Sequence, residues 1–245
     1  MLCLAAACTA PETTLTPAPP GPDTDRAAAI GAAVRPLIGK QVRGIDVSHY
    51  QGHVDWVAVK AAGINYAYAK AVQGNTNEDS EFAHNWEDMK AAGILRGAYD
   101  FYVTGDEPGP QAENFIAKVK LGKGDLPPMV DVETMSGNMV PDDDLIPDLH
   151  EFLETLEAHY GRKPIIYTSP GFWNAHFDDS FGAYPLWVAE YGVSQPKAVT
   201  GWDTWTFWQY SQNGSVEGIT GAVDMDHFNG GAAKLLALVL EITPK

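Results

Sequence analysis

VKAAGINYAYAKA, residues 59–71, returns thirty residues later as MKAAGILRGAYDFY, residues 89–102, with KAAGI identical in both copies. Thirty residues is room for one helix and one strand. In each copy Lys-Ala-Ala ends an amphipathic helix, Gly63 or Gly93 supplies the C-terminal cap, and an apolar β-rich run follows at once. The helices are HVDWVAVKAA and SEFAHNWEDMKAA, and the strands are INYAYAKA and ILRGAYDFY. Strands this continuously apolar are covered on both faces, so the repeat predicts a parallel sheet clad in helices.

Further strands lie along the chain: VRGIDVS near residue 42, PPMVDVE near 127, PIIYTS near 164, PLWVAEY near 185, TWTFWQY near 204 and AVDMDHF near 222. Helices such as PGPQAENFIAKVK and DDLIPDLHEFLETLEAHYG separate the early strands. The gaps after Pro185 are too short and too rich in Gly, Pro and Ser for crossover helices. The expected fold is α/β, an irregular TIM-like β/α barrel of five β/α units followed by three strands with little helix. An open doubly wound sheet is the alternative, but the KAAGI glycines end helices and do not open a phosphate-cradling loop.

The 245 residues, 45% of them hydrophobic, are enough for one large domain. No run of eighteen apolar residues occurs, and a formal charge of −16 argues against a nucleic-acid partner. Cys3 and Cys8 leave everything after residue 8 without a thiol, so no disulfide is expected to brace the domain. Residues 1–8 resemble the end of an export signal cut short by a late start, with Cys8 placed to carry a lipid anchor. Residues 9–40, rich in Pro, Thr and Ala, read as a tether, and residues 41–245 as the barrel. An exported protein, periplasmic or extracellular, either free or held at a membrane by a lipid on Cys8, is expected.

Asp131 and Glu133 end the apolar run LPPMVDVE. Two positions apart on a strand, they leave the same face. Like charges so close raise the proton affinity of one, giving an acid beside an ionised carboxylate, as glycosidic cleavage requires. Parallel barrels carry their sites at the C-terminal mouth of the strands, where Asp46, Asp100 and Asp224 also fall. Tyr99, Phe101, Tyr102, Tyr167, Trp187, Tyr191, Trp208 and Tyr210 accompany them. Some, Phe101 and Trp208 above all, serve equally well as barrel core, yet an acidic mouth with aromatic walls suits a polysaccharide. An Mg²⁺ or Ca²⁺ site competes for the same acids, but no histidine pair falls at ligand spacing. A Gly-x-Ser-x-Gly elbow is lacking as well.

From about Val42 to Gly230 the chain resembles glycoside hydrolase family 25, the Chalaropsis-type lysozymes. GIDVSHYQGHVDW, GAYDFY, PMVDVE, IIYTSPGFW, PLWVAEYG and WTFWQYSQNGSVEGITGAVDMDHFNG carry the resemblance, in family order. It implies a muramidase that hydrolyses the β-1,4 bond between N-acetylmuramic acid and N-acetylglucosamine of peptidoglycan, with no cofactor. Glu133 then corresponds to the general acid/base and Asp131 to the partner that aligns the substrate's acetamido group. Asp46 and Asp224 match the other two acidic positions. Tyr99, Tyr167, Trp187, Tyr191 and Gln209 are the expected substrate-binding residues of a monomer. Retention by the substrate's own acetamido oxygen is implied, with a direct carboxylate nucleophile as the alternative. A glycan-binding barrel without catalysis and a hydrolase of another N-acetylated glycan such as chitin are the competing functions. Two departures stand out: Gln73 replaces a usual Glu, and Asp100 a usual His, so charge at the mouth is expected to be redistributed.

Overall fold

A computed structural model of the chain describes residues 41–133 and 142–240. The expected signal, Cys8 and tether lie outside them. Nine strands are described: β1 (Arg43–Val47), β2 (Tyr66–Gln73), β3 (Asn77–Glu78), β4 (Leu95–Phe101), β5 (Met129–Asp131), β6 (Ile165–Thr168), β7 (Leu186–Ala189), β8 (Phe207–Gly214) and β9 (Val223–Phe228). Six α-helices accompany them: α1 (Trp56–Ala61), α2 (Phe82–Ala91), α3 (Pro108–Lys118), α4 (Asp142–Tyr160), α5 (Pro170–His176) and α6 (Ala232–Leu240). None of the described helices is long and apolar enough to cross a membrane.

Eight strands close a barrel in the order β1-β9-β8-β7-β6-β5-β4-β2 and back to β1, while β3 folds against the end of β2. Five β/α units come first, β1-α1, β2-α2, β4-α3, β5-α4 and β6-α5, and then β7, β8 and β9 without full crossover helices. That is the expected barrel. The KAAGI repeat is the α1-β2 and α2-β4 pair, and Gly63 and Gly93 end their helices at φ 89° and 73°, the left-handed region that favours glycine. β1, β2 and β4 through β8 run parallel around the barrel, whereas β9 is antiparallel to both neighbours. β9 therefore descends from the mouth, and α6 follows it at the opposite end.

Two apolar cores result. One lies between strands and helices and includes Ile45, Val72, Phe115, Phe152 and Trp173. The other fills the barrel with Tyr66, Tyr68, Leu95, Met129, Trp187, Phe207 and Phe228, and Ala232, Leu235 and Val239 of α6 join it. The interior layers alternate small and large. A Cβ at Gly44 would stand 2.1 Å from the Tyr66 ring, and one at Gly97 would stand 2.2 Å from the Tyr68 ring. Rings from β2 thus occupy space that glycines on β1 and β4 leave open, which makes the barrel floor solid beneath its mouth.

Candidate active site

Strand ends set the mouth. Asp46 near the end of β1, Lys70 and Gln73 on β2, Tyr99 and Phe101 on β4, Asp131 closing β5 and Glu133 just beyond it, Tyr167 on β6 and Gln209 on β8 all line one cavity of about 380 Å³. Tyr191, two residues past β7, completes that wall. Asp224 arrives by the opposite route. β9 runs downward, so Asp224 stands near its beginning and pairs directly with Asp46 across the β1–β9 ladder. Asp46, Asp131, Glu133 and Asp224, the four acids singled out in the sequence, therefore share one cavity.

Burial sets their proton affinities. Asp131 is 8% exposed; burial and then the neighbouring Glu133 push its carboxyl well above the ordinary range. Burial also raises Glu133, while the Lys70 ammonium draws it back down. Asp224 is pushed up to about 6, by burial and then by Glu133. Asp46 is raised by burial and by Asp224, against the pull of a hydrogen bond from Gln209. The crowded carboxylates of the mouth thus bind protons more tightly than free ones, the direction a general acid requires.

Gln209 is the hub of the polar wall. Its Oε1 accepts from Tyr167 Oη at 2.8 Å and from Tyr191 Oη at 2.5 Å. With both lone-pair directions of its oxygen occupied, the amide must donate through nitrogen, and Nε2 does so to Asp46 Oδ2 at 2.7 Å. Two tyrosines and one aspartate are thereby fixed by a single amide that is itself 2% exposed.

Two expectations are corrected by burial. Trp187 does not line the cavity: it is fully buried, stacked on Phe207 and edge-on to Tyr68, both with ring centroids 5.0 Å away. It lies one layer deeper, below Ala189, so it serves as floor and not as a sugar platform. Asp100 does not join the acids of the mouth. It alternates with Tyr99 and Phe101 on β4 and pairs with Val72 and Val130, both members of the core between strands and helices. Fully buried there, its carboxyl is held well above the usual range by burial, against the pull of the Lys70 ammonium and the Gly74 backbone N–H.

Other lining residues escaped the sequence reading. Lys70 Nζ donates to Gln73 Oε1 at 2.7 Å and stands 4.7 Å from the Phe101 ring centroid. Tyr50, 82% exposed, and Gln51 form the rim. They sit on a short 3-10 turn, His49–Gln51, that Ser48 and Gln51 close as a capping box. The Ser-x-x-Gln spacing in GIDVSHYQG was the available signal. Among the described residues, no group of three or more His, Cys, Asp or Glu is disposed to hold a metal ion.

Comparison with known proteins agrees with this geometry. The profile of Glycosyl hydrolases family 25 matches residues 45–219. Lysozyme M1 of Streptomyces globisporus is 38% identical over 208 residues, 80% of this chain and 71% of its own. The N,O-diacetylmuramidase of Chalaropsis sp is 29% identical over 202 residues, 75% of this chain and 96% of its own. Among solved structures, the bacterial lysozyme from Streptomyces coelicolor superposes with a TM-score of 0.79 at 38% identity, covering 83% of this chain and 99% of that one.

Proposed function

Since the chain belongs to glycosyl hydrolases family 25, we propose that it is a peptidoglycan muramidase, a lysozyme whose chemistry is done by the acids of the barrel mouth. The observation that carries this reading is the convergence of Asp46, Asp131, Glu133 and Asp224 in one cavity walled by Tyr99, Tyr167 and Tyr191. Glu133 is the most open member of the Asp131 pair, and so the better placed to meet a glycosidic oxygen. Burial keeps its proton available and Lys70 keeps that proton labile. In this reading Glu133 protonates the leaving sugar and later deprotonates the attacking water.

Asp131 is deeper and accepts the acetamido N–H of the substrate, turning the acetamido oxygen towards the anomeric carbon. The configuration is then retained without a covalent bond to the protein. Tyr167 and Tyr191, oriented through Gln209 on Asp46, present flat faces and hydroxyls to the sugar rings. Peptidoglycan lies outside the cytoplasmic membrane, so this activity requires export.

Mass spectrometry of the products released from purified peptidoglycan tests the reading. Reducing-end muramic acid with retained configuration is expected; reducing-end glucosamine, or no release, contradicts it. Glu133→Gln preserves shape but removes the proton, and turnover is expected to fall about 10²–10⁴-fold, as on loss of a general acid. Near-native turnover in that variant would remove Glu133 from the role.

A further inference from the structure

Beneath the mouth three buried polar groups, the Asp226 carboxyl, the Trp187 Nε1–H and the Tyr66 hydroxyl, stand outside any well-formed hydrogen bond, with Asp226 facing the Trp187 indole and Asp46. They come from β9, β7 and β2. Asp226 follows Asp224 by two residues and so leaves the same face of β9, one layer lower. Across the ladder it pairs with Gly44 on one side and Gln209 on the other, which sets it diagonal to Asp46. The Tyr66 ring fills the space above Gly44, so the acid is sealed at 1% exposure.

An ionised carboxylate in this position would be poorly held. The groups that bear on it are Asp46 on β1, Asp224 on β9, the Trp187 indole on β7 and the Tyr66 hydroxyl on β2, none of them a cation. Burying an unpaired charge among such neighbours costs far more than binding a proton. Burial, Asp46 and Asp224 act to keep the proton on Asp226, against the pull of the Trp187 indole N–H.

We propose that Asp226 is a positioning residue, a neutral carboxylic acid that turns its proton to Asp46 from below while Gln209 holds the same carboxylate from the side. Two donors then keep Asp46 an acceptor in one orientation, and through Gln209 they fix Tyr167 and Tyr191. Of the groups around Asp46, these two donors favour its ionised form, against burial, Asp224 and Glu133. The proposal rests on the muramidase reading of the mouth, but its protonation state can be tested without activity.

The experiment compares Asp226→Asn, which keeps a donor, with Asp226→Leu, which keeps only bulk. A hydrogen bond to a charged group governs about 10- to 100-fold in rate. Asp226→Leu is expected to lose kcat on that scale with little change in KM. The acid limb of its kcat/KM profile should move to higher pH, because Asp46 takes up a proton more readily without its donor. Asp226→Asn should recover most of the turnover and the native limb. Equal damage in both variants, or a native rate and limb in Asp226→Leu, overturns the proposal. Carbon-13 NMR of protein labelled at the aspartate carboxyls gives a second readout should the leucine variant fail to fold. The resonance that disappears in Asp226→Asn is expected at the position of a carboxylic acid at pH 7; a carboxylate there overturns the proposal. Product analysis of the native enzyme separately decides the muramidase reading.

Discussion

Lys70 is the basic side chain among the described residues lining the mouth, and it touches no carboxylate directly. Its hydrogen bond goes to the neutral amide of Gln73 and its ammonium lies near the Phe101 ring, so its positive field is left for Asp131 and Glu133. At Glu133 that field opposes burial. Lys70→Met removes the charge at similar length, and the proton affinity of Glu133 must then rise. The alkaline limb of kcat/KM, where a general acid loses its proton, is expected to move to higher pH. A pH–rate profile measured on soluble glycan strands checks this, and an unmoved limb would mean that Lys70 does not tune the acid. Gln73 bears on the same balance, since a glutamate in its place would pair with Lys70 and spend its charge locally.

The elements explain both what the sequence disclosed and what it hid. The eight barrel strands and the five β/α units were legible because apolar runs, glycine caps and the KAAGI repeat are local signals. Asp131 and Glu133 were legible because an i, i+2 pair fixes a shared face, and Asp46 and Asp224 because they fall at strand ends within motifs of the family. Asp100 and Trp187 were not. A strand covered on both faces alternates side chains without marking which face looks inward, so Asp100 went to the helix side and Trp187 to the floor. The direction of β9 was hidden too, because its pairing to β1 and β8 is a long-range matter that no local pattern records. Gly97 shows what holds these layers together. Its Cβ would overlap the Tyr68 ring, whose hydroxyl donates to the Pro127 carbonyl at 3.0 Å, so the ring cannot retreat without losing that bond. Gly97→Ala is expected to destabilise the barrel by about 1–3 kcal/mol, the range for overpacking a filled core. Urea unfolding measures it, and a change below about 0.5 kcal/mol, the level of an ordinary surface substitution, would show that the floor is looser than its packing indicates.

Taken as a whole, the molecule concentrates acids that fold at a cost. Asp46, Asp100, Asp131, Glu133, Asp224 and Asp226 all bind protons more tightly in the folded chain, burial being the first cause in each. A raised acid contributes stability that is complete below its unfolded value, 3.8 for aspartate, and is lost as pH climbs through the folded value, about 6 for Asp224. The folded state holds more protons than the unfolded one across that window, so stability must fall with rising pH. Repulsion within a chain of formal charge −16 acts in the same direction. His227, whose proton affinity is lowered chiefly by burial, and Asp178 and Glu190, lowered by hydrogen bonds from Ser180 and, against burial, from Lys197, work against the trend at acid pH, but they are half-buried or surface groups against six carboxyls of the barrel. The melting temperature is therefore expected to be higher at pH 5 than at pH 8. Asp100→Asn separates the two demands made on these acids, because Asp100 lies outside the mouth and its neutral amide needs no proton. That variant should gain stability at pH 8 relative to the native chain and show a shallower fall from pH 5. Melting curves at the two pH values decide the matter: a native chain more stable at pH 8 would mean that the buried carboxyls find partners when ionised, and an Asp100→Asn slope equal to the native one would remove Asp100 from the set.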